Sequence, residues 1–373
     1  MANNRIFYAC QAIALAPEFP TASNFIPVKG VQSVGINTTF NLEQAFELGQ
    51  IFIYENIEGL PDIEVTIERV LDGYPLAYRL ATRLPNGSTP GDTLVERSKQ
   101  RCGVALGIFE DTINSVSGLQ APIELFMSGM YVNSVSYTLP TDGNSTESIT
   151  LVGNHKVWNS GQTFTNGIVD YMVATVTDQW RQNNQSDIPK NNQAGSFAGG
   201  IQRRENVVMV SSILPISIFG VGSTATAGNN WNSTLNAPKA HIQNISISTD
   251  LGREDILELG RKAPYYRAPN FPIEVTCELE VIAISGDLVS AYEEGRVDFI
   301  GTKDEGNNTS EETIKIVLQD QTTFDLGSKN RLSSITYGGG DAGGGNATIT
   351  YSYSTFNDFT IQGPRGSVSE TTA

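Results

Sequence analysis

Segments of this chain recur in the same order about 200 residues apart, and that repetition restricts the fold more than any single motif. "VQSVGINTTFNLEQAFELGQ" (31–50) is answered by "IQNISISTDLGREDILELGR" (242–261) at an offset of 211. The identities are Gln32/Gln243, Ile36/Ile247, Thr38/Thr249, Glu43/Glu254, Glu47/Glu258, Leu48/Leu259 and Gly49/Gly260. "IEVT" at 63–66 returns at 273–276, an offset of 210. "VNSVSY" (132–137) faces "LSSITY" (332–337), and "SITL" (148–151) faces "TITY" (348–351), both at an offset of 200. The apolar run "NRIFYACQAIALAP" (4–17) parallels "RENVVMVSSILPIS" (204–217). "GDTLVERSKQRCGVALGIFED" (91–111) parallels "GDLVSAYEEGRVDFIGTKDE" (286–305), each with an aspartate, Asp92 or Asp287, placed to cap a short helix.

A period this long makes each copy a whole domain rather than a solenoid unit. The 373 residues agree with two domains. The expected boundaries are 1–160 for copy one, 161–200 for a linker or extended loop, 201–363 for copy two and 364–373 for a flexible tail. The polar stretch "QNNQSDIPKNNQAGSFAGG" (182–200) buries little apolar area and forms the core of the linker and the first protease target. Segments between turn signals are short, alternating and rich in Val, Ile, Thr, Tyr and Phe. They predict an all-β, mainly antiparallel fold with short helices: two tandem, internally duplicated domains, each a β-sandwich or partly closed barrel. In "DIEVTIERV", apolar and acidic positions interleave as in a strand with one buried and one wet face.

Catalytic signals are absent from the sequence, which reads as a non-enzyme. His155 and His241 are its two histidines, one in a polar turn and one ahead of a strand, and both read as surface residues. No nucleophile elbow, phosphate loop, dinucleotide fingerprint or paired Cys/His spacing occurs, so no catalytic, cofactor or metal residue is nominated. "GGGDAGGG" (338–345) lacks the lysine of a phosphate cradle and falls where copy one has a hairpin tip. Cys10, Cys102 and Cys277 are odd in number and unrelated in spacing, which predicts reduced thiols. No run is long and apolar enough to span a membrane; "VVMVSSILPISIFGV" (207–221) is interrupted by Ser and Pro and reads as one or two strands. The N-terminus lacks the pattern of a secretory signal. Twenty-four basic against 40 acidic residues give a net charge of −16, which disfavours a grip on nucleic acid.

The run "GVQSVGINTTFNLEQAFELGQIFIYENIEGLPDIEVTIERVLDGYPLAYRLAT" (30–82) resembles the tail tube proteins of tailed bacteriophages, and the resemblance returns at 241–285. It implies β-sandwich tube domains, six to a ring, stacked into a hollow tube whose inner wall is a continuous β-barrel that conducts the genome into the host. It implies a virion protein made in the host cytoplasm, with itself and other tail proteins as partners and DNA in transit without specific binding. Two tube domains per chain then close a ring as a trimer of pseudo-sixfold symmetry; the alternative is a hexamer with one domain decorating the tube. A tail terminator, baseplate hub or injection-device ring shares the fold. A β-rich carbohydrate-binding or adhesion module is the reading of a different class, with Trp158, Trp180 and Trp231 as its aromatic candidates. Glu64 and Glu68 with Glu274 and Glu278 are the candidates for the channel wall; an outer solvent face accommodates them equally.

Overall fold

Residues 63, 65 and 67 alternate with acids at 62, 64 and 68, and in the computed structural model the apolar set is buried while the acids are exposed. This period of two builds the fold. The structure describes residues 6, 8, 11–17, 26–49, 51–84, 91–108, 123–160, 200–209, 211–215, 240–283, 311–339 and 345–364. The first half holds β1 (Gln11–Pro17), β2 (Ile26–Pro27), β3 (Val31–Thr39), β4 (Leu42–Phe46), β5 (Ile53–Glu58), β6 (Asp62–Val70), α1 (Ala77–Ala81), α2 (Leu94–Arg97), β7 (Arg101–Ile108), β8 (Ile123–Pro140), β9 (Thr146–Gly153) and β10 (Val157–Ser160). The second holds β11 (Ala240–Asp250), β12 (Glu254–Ile256), β13 (Tyr266–Ala268), β14 (Glu274–Ala283), β15 (Lys315–Val317), β16 (Thr323–Asp325), β17 (Arg331–Gly338), β18 (Thr348–Phe356) and β19 (Thr360–Gln362). Residues 161–199 of the expected linker (161–200), Cys10, Trp180, Trp231, Asp287 and residues 365–373 of the expected tail (364–373) lie outside the described residues.

Every named ladder is antiparallel. In the first half the inner strands run in the order β3, β6, β9, β8. In the second the order is β11, β14, β18, β17. Because β8 also pairs with β11, with Ser134 opposite Asp250 and Pro140 opposite Asn244, the two sets join into one eight-stranded sheet. Its end strands, β3 and β17, each have one strand neighbour among the described residues. β8 is 18 residues long, and its first half leaves this sheet to pair with β7 and β10. An outer layer of β2, β1, β7, β8 and β10 thus covers the first half, and β15, β16 and β19 cover the second. One contiguous apolar core, including Ile67, Ile149, Tyr137, Ile247, Leu279 and Tyr353, runs through both halves.

The halves also share irregularities. The β3–β6 register skips Gln32 and the β11–β14 register skips Gln243, the two glutamines matched in sequence. Each of these side chains donates to the carbonyl two residues back, Gln32 to Gly30 at 3.2 Å and Gln243 to His241 at 3.3 Å. The β8–β9 register skips Asn133 and the β17–β18 register skips Ser333, again a matched pair. The inner strands correct the sequence alignment, however. Glu68 lies opposite Ser33, and Glu280, not Glu278, lies opposite Asn244, the counterpart of Ser33. "IEVT" and the "SITL"/"TITY" pair are therefore displaced by two residues from their true equivalents. A shift of two keeps every side chain on its face, so the motifs match despite the displacement.

Two further expectations change. Thr93, not Asp92, caps α2, accepting from the Glu96 N–H at 3.4 Å and donating to the Glu96 carboxylate at 2.7 Å. The Asp92 carboxylate is drawn instead to the guanidinium groups of Arg79 at 2.7 Å and Arg97 at 3.5 Å. The described part of 207–221 forms isolated bridges at Val207 and Ile213 rather than a strand. Ser212 accounts for this: its hydroxyl donates to Val208 O and accepts from the Val317 N–H, taking up groups a ladder would use.

Candidate assembly surfaces

The eight-stranded sheet buries one face in the core and presents the other to solvent. Strand alternation decides which side chains lie there. From β3 come Ser33, Gly35, Asn37 and Thr39; from β9 and β8, Thr146, Ser148, Thr150, Ser134, Ser136 and Thr138; from β18 and β17, Thr350, Ser352, Ser354, Ser334 and Thr336. The carboxylates of this face stand on the second strand of each half, as Asp62, Glu64 and Glu68 on β6 and Glu274, Glu278 and Glu280 on β14, joined by Asp250 at the end of β11. The one Lys or Arg at these strand positions is Arg331, at the start of β17, where its guanidinium is 3.4 Å from Glu311. All four nominated residues lie on this wet face, and Glu68 accepts a hydrogen bond from the Ser33 hydroxyl at 2.7 Å. Asp62, Asp250 and Glu280 belong with them and escaped notice. Glu280 was legible in the alternation of "CELEV", where Glu278 and Glu280 share a face.

The seam between the halves is closed by more than its ladder. Leu251 N–H donates to Asn133 O at 2.7 Å and Thr141 N–H to Gln243 O at 2.9 Å, so the carbonyls of both skipped residues are used. Arg253 donates twice to Val132 O, at 2.8 and 2.7 Å, and lies 5.1 Å from the centre of the Tyr131 ring. Burial pulls its pKa down to about 10. In the outer layer, Leu94 N–H bonds Phe359 O and Arg79 bonds Ile361 O, at 2.8 and 2.6 Å.

Between its first and second inner strands each half projects a hairpin, β4–β5 or β12–β13, with a glycine of positive φ at the tip, Gly49 at 92° and Gly260 at 87°. Leu48 and Leu259 beside these glycines are fully exposed, as are most of the side chains of Ile51 and Phe52. Exposed apolar patches of this kind on a folded chain mark contact surfaces. The opposed pair at one rung is Gln44–Asn56 in the first hairpin and Asp255–Arg267 in the second. Arg267 ties the second hairpin to the first half, 2.9 Å from Asp255, 3.4 Å from Asp62 and hydrogen-bonded to Asn154 at 3.0 Å.

Beneath the wet face of the first half lies a buried polar network. The Glu147 carboxylate accepts from the N–H groups of Ala77 and Tyr78, at 2.8 and 3.0 Å, and from the Tyr137 hydroxyl at 3.0 Å, with Arg69 Nε 3.8 Å away. Arg69 also donates to Pro75 O and Asp72, both at 2.5 Å. Burial, then the adjacent carboxylate, pushes the Tyr137 pKa well up. The network fastens α1 to the sheet and is closed to solvent, which makes it a structural device. His155 and His241 are both exposed; His155 lies 2.9 Å from the Ser128 hydroxyl, and desolvation lowers its pKa. Cys102 and Cys277 are buried thiols. Among the described residues no cluster of His, Cys, Asp and Glu is placed to hold a metal ion, and no helix is long and apolar enough to cross a membrane.

No protein-family model matches the sequence, and no curated protein matches it. Among solved structures, part of the chain is similar to the tube-terminating cap of the anti-feeding prophage, at 11% identity and a TM-score of 0.30 over 43% of this chain and 95% of that one. It is similar to a chain of the anti-feeding prophage baseplate at 10% identity and a TM-score of 0.32, over 44% of this chain and 100% of the other. A chain of the PVC extracellular contractile injection system sheath–tube complex gives 13% identity and a TM-score of 0.29, over 42% and 93%.

Proposed function

We propose that the chain is a structural subunit of a phage-tail-type tube, in which copies join side by side into rings and rings stack into a passive conduit for DNA. The observation that carries this reading is the eight-stranded sheet: apolar on one side, hydroxyl- and carboxylate-bearing on the other, and, among the described residues, open at both ends. An open edge offers unpaired N–H and C=O groups, and closure into a barrel removes them. The resemblance of 30–82 to tail tube proteins supplies six domains per ring. Each half of this chain serves as one, so three copies complete the ring. The exposed hairpin tips supply apolar area for contact between successive rings and with other tail proteins. Duplex DNA carries about one charge per 1.7 Å, and a wall of Ser, Thr and carboxylates repels it evenly without binding sites. The particle is then a virion, assembled from protein made in the host cytoplasm.

Negative-stain microscopy of the purified protein tests the reading. Stacked tubes with a central channel are expected. Single rings that never stack identify a terminator or hub ring instead, and a monodisperse monomer at high concentration overturns the proposal. Gel-shift at physiological salt gives a second test, with no retention of duplex DNA expected.

A further inference from the structure

The geometry points to a specific intermolecular ladder: β3 of one copy pairs with β17 of a second copy in the register of the internal seam. This rests on the ring reading above and goes on to name the residues that close it. β11 is the counterpart of β3 and β17 the counterpart of the C-terminal part of β8, as the skipped residues Gln32/Gln243 and Asn133/Ser333 fix to the residue. In the seam Asp250 lies opposite Ser134, Ser248 opposite Ser136 and Ser246 opposite Thr138. Transferred to the open edges, these pairs become Thr39 opposite Ser334, Asn37 opposite Thr336 and Gly35 opposite Gly338. The bond from Leu251 N–H to Asn133 O becomes one from Phe40 N–H to Ser333 O.

Burial argues for the same partner. Ile247, Val135 and Tyr137 are sealed by the seam, whereas Ile36, Ile335 and Tyr337 at the open edges are not, and Tyr337 is 55% exposed against 0% for Tyr137. The open edges thus carry the apolar side chains of an interface without a covering strand among the described residues. The solvent-facing positions to be opposed are Ser, Thr, Asn and Gly on both strands, so no like charges meet. Edges that remain single are protected by lysine, proline, inward charge or a bulge; β3 and β17 carry Arg331 at the start of β17 and one skipped residue each, Gln32 and Ser333, an irregularity that β11 and β8 also carry while paired in the seam. β3 and β17 stand at opposite ends of one sheet, so each takes its partner from another copy.

Directly opposed strand residues have Cα atoms about 4.5–5.5 Å apart, within disulfide reach. The full-length N37C/T336C double variant, assembled and mildly oxidised, is expected to migrate on a non-reducing denaturing gel as a covalent closed trimer. Each single variant stays monomeric, and the displaced pair N37C/S334C cross-links at least tenfold more slowly. Equal cross-linking of the displaced pair, or no cross-linking where microscopy still shows rings, overturns the register and leaves the ring reading standing. A ladder ending at six chains overturns the threefold closure. Absence of any ring for the unsubstituted protein removes the ring reading itself.

Discussion

At one rung of the inner sheet the first half sets Arg69 opposite Glu147, and the second half sets Val281 opposite Ile349. Both pairs are buried, and the backbone pairing around them is the same. A second site differs in another way: Glu124 on β8 is a buried carboxylate opposite Gly107 and Asn159, whereas Phe324 on β16, 200 residues on, lies opposite Ile316 and Ile361, its ring centre 4.5 Å from that of Tyr137. The hairpins differ likewise, since Gln44–Asn56 is neutral where Asp255–Arg267 is an ion pair. One backbone plan thus admits either apolar packing or a satisfied ion pair at corresponding positions. A buried ion pair gives no stability advantage over a well-packed apolar pair, but losing one partner leaves an uncompensated charge. At the inner rung the first half therefore depends on polar contacts where the second depends on shape, while in the hairpins the ion pair belongs to the second half.

Breaking the first-half rung has the largest expected effect. Glu147→Ala leaves three buried donors without their acceptor and Arg69 with Asp72 as its one carboxylate, and should cost about 3–5 kcal/mol in urea unfolding, against about 1 kcal/mol for Ile349→Val. The double variant Arg69→Val/Glu147→Ile, which copies the second half, should recover only part of the loss, because the Ala77 and Tyr78 N–H groups remain without their acceptor. Full recovery would show that the fastening of α1 is unimportant.

The next effect is the pH dependence that Glu124 brings to the first half. Burial lifts the Glu124 pKa from an ordinary 4.5 to about 7. With the folded value above the unfolded one, its favourable contribution is complete below about 4.5 and disappears as pH rises through about 7. Glu124→Gln should therefore raise stability at pH 8 by up to a few kcal/mol, leave it nearly unchanged at pH 4 and flatten the profile between. Thermal melts across that range decide it; an unaltered slope would assign the dependence elsewhere.

Smaller still is the anchor of the second hairpin. Arg267→Ala should lower stability by about 1 kcal/mol or less and raise amide exchange in β12–β13, while Asn56→Ala leaves the first hairpin unchanged. At the tips, Leu48→Asp and Leu259→Asp should move the unfolding midpoint by less than about 0.5 kcal/mol yet shorten or abolish tubes in micrographs. Unchanged tube lengths would remove the hairpins from ring-to-ring contact.

Much of this was legible in the chain because alternation and skipped residues leave a mark on sequence. The wet face of β6 could be read directly from "DIEVTIERV", and the matched Gln32 and Gln243 proved to be irregularities at one ladder position. The displacement of "IEVT" was illegible because four residues of period two fit as well two places away. Asp92 was a reasonable cap by residue type, but the arginines that claim it come from positions 79 and 97, which only the packed structure brings near. Nothing local announces that β8 turns to β11, since a strand's neighbour across 100 residues depends on which edge remains open after each half has folded.

The two-residue displacement has a consequence for how such a chain changes length. Removing or adding an even number of residues in an inner strand slides it along its neighbours and returns each side chain to its own side. An odd change turns the strand over unless one residue is expelled from the ladder, as Gln32, Gln243, Asn133 and Ser333 are. Strands built on this plan can therefore differ in length by pairs, with the skipped positions absorbing odd steps, and still align their edges with a partner of different length.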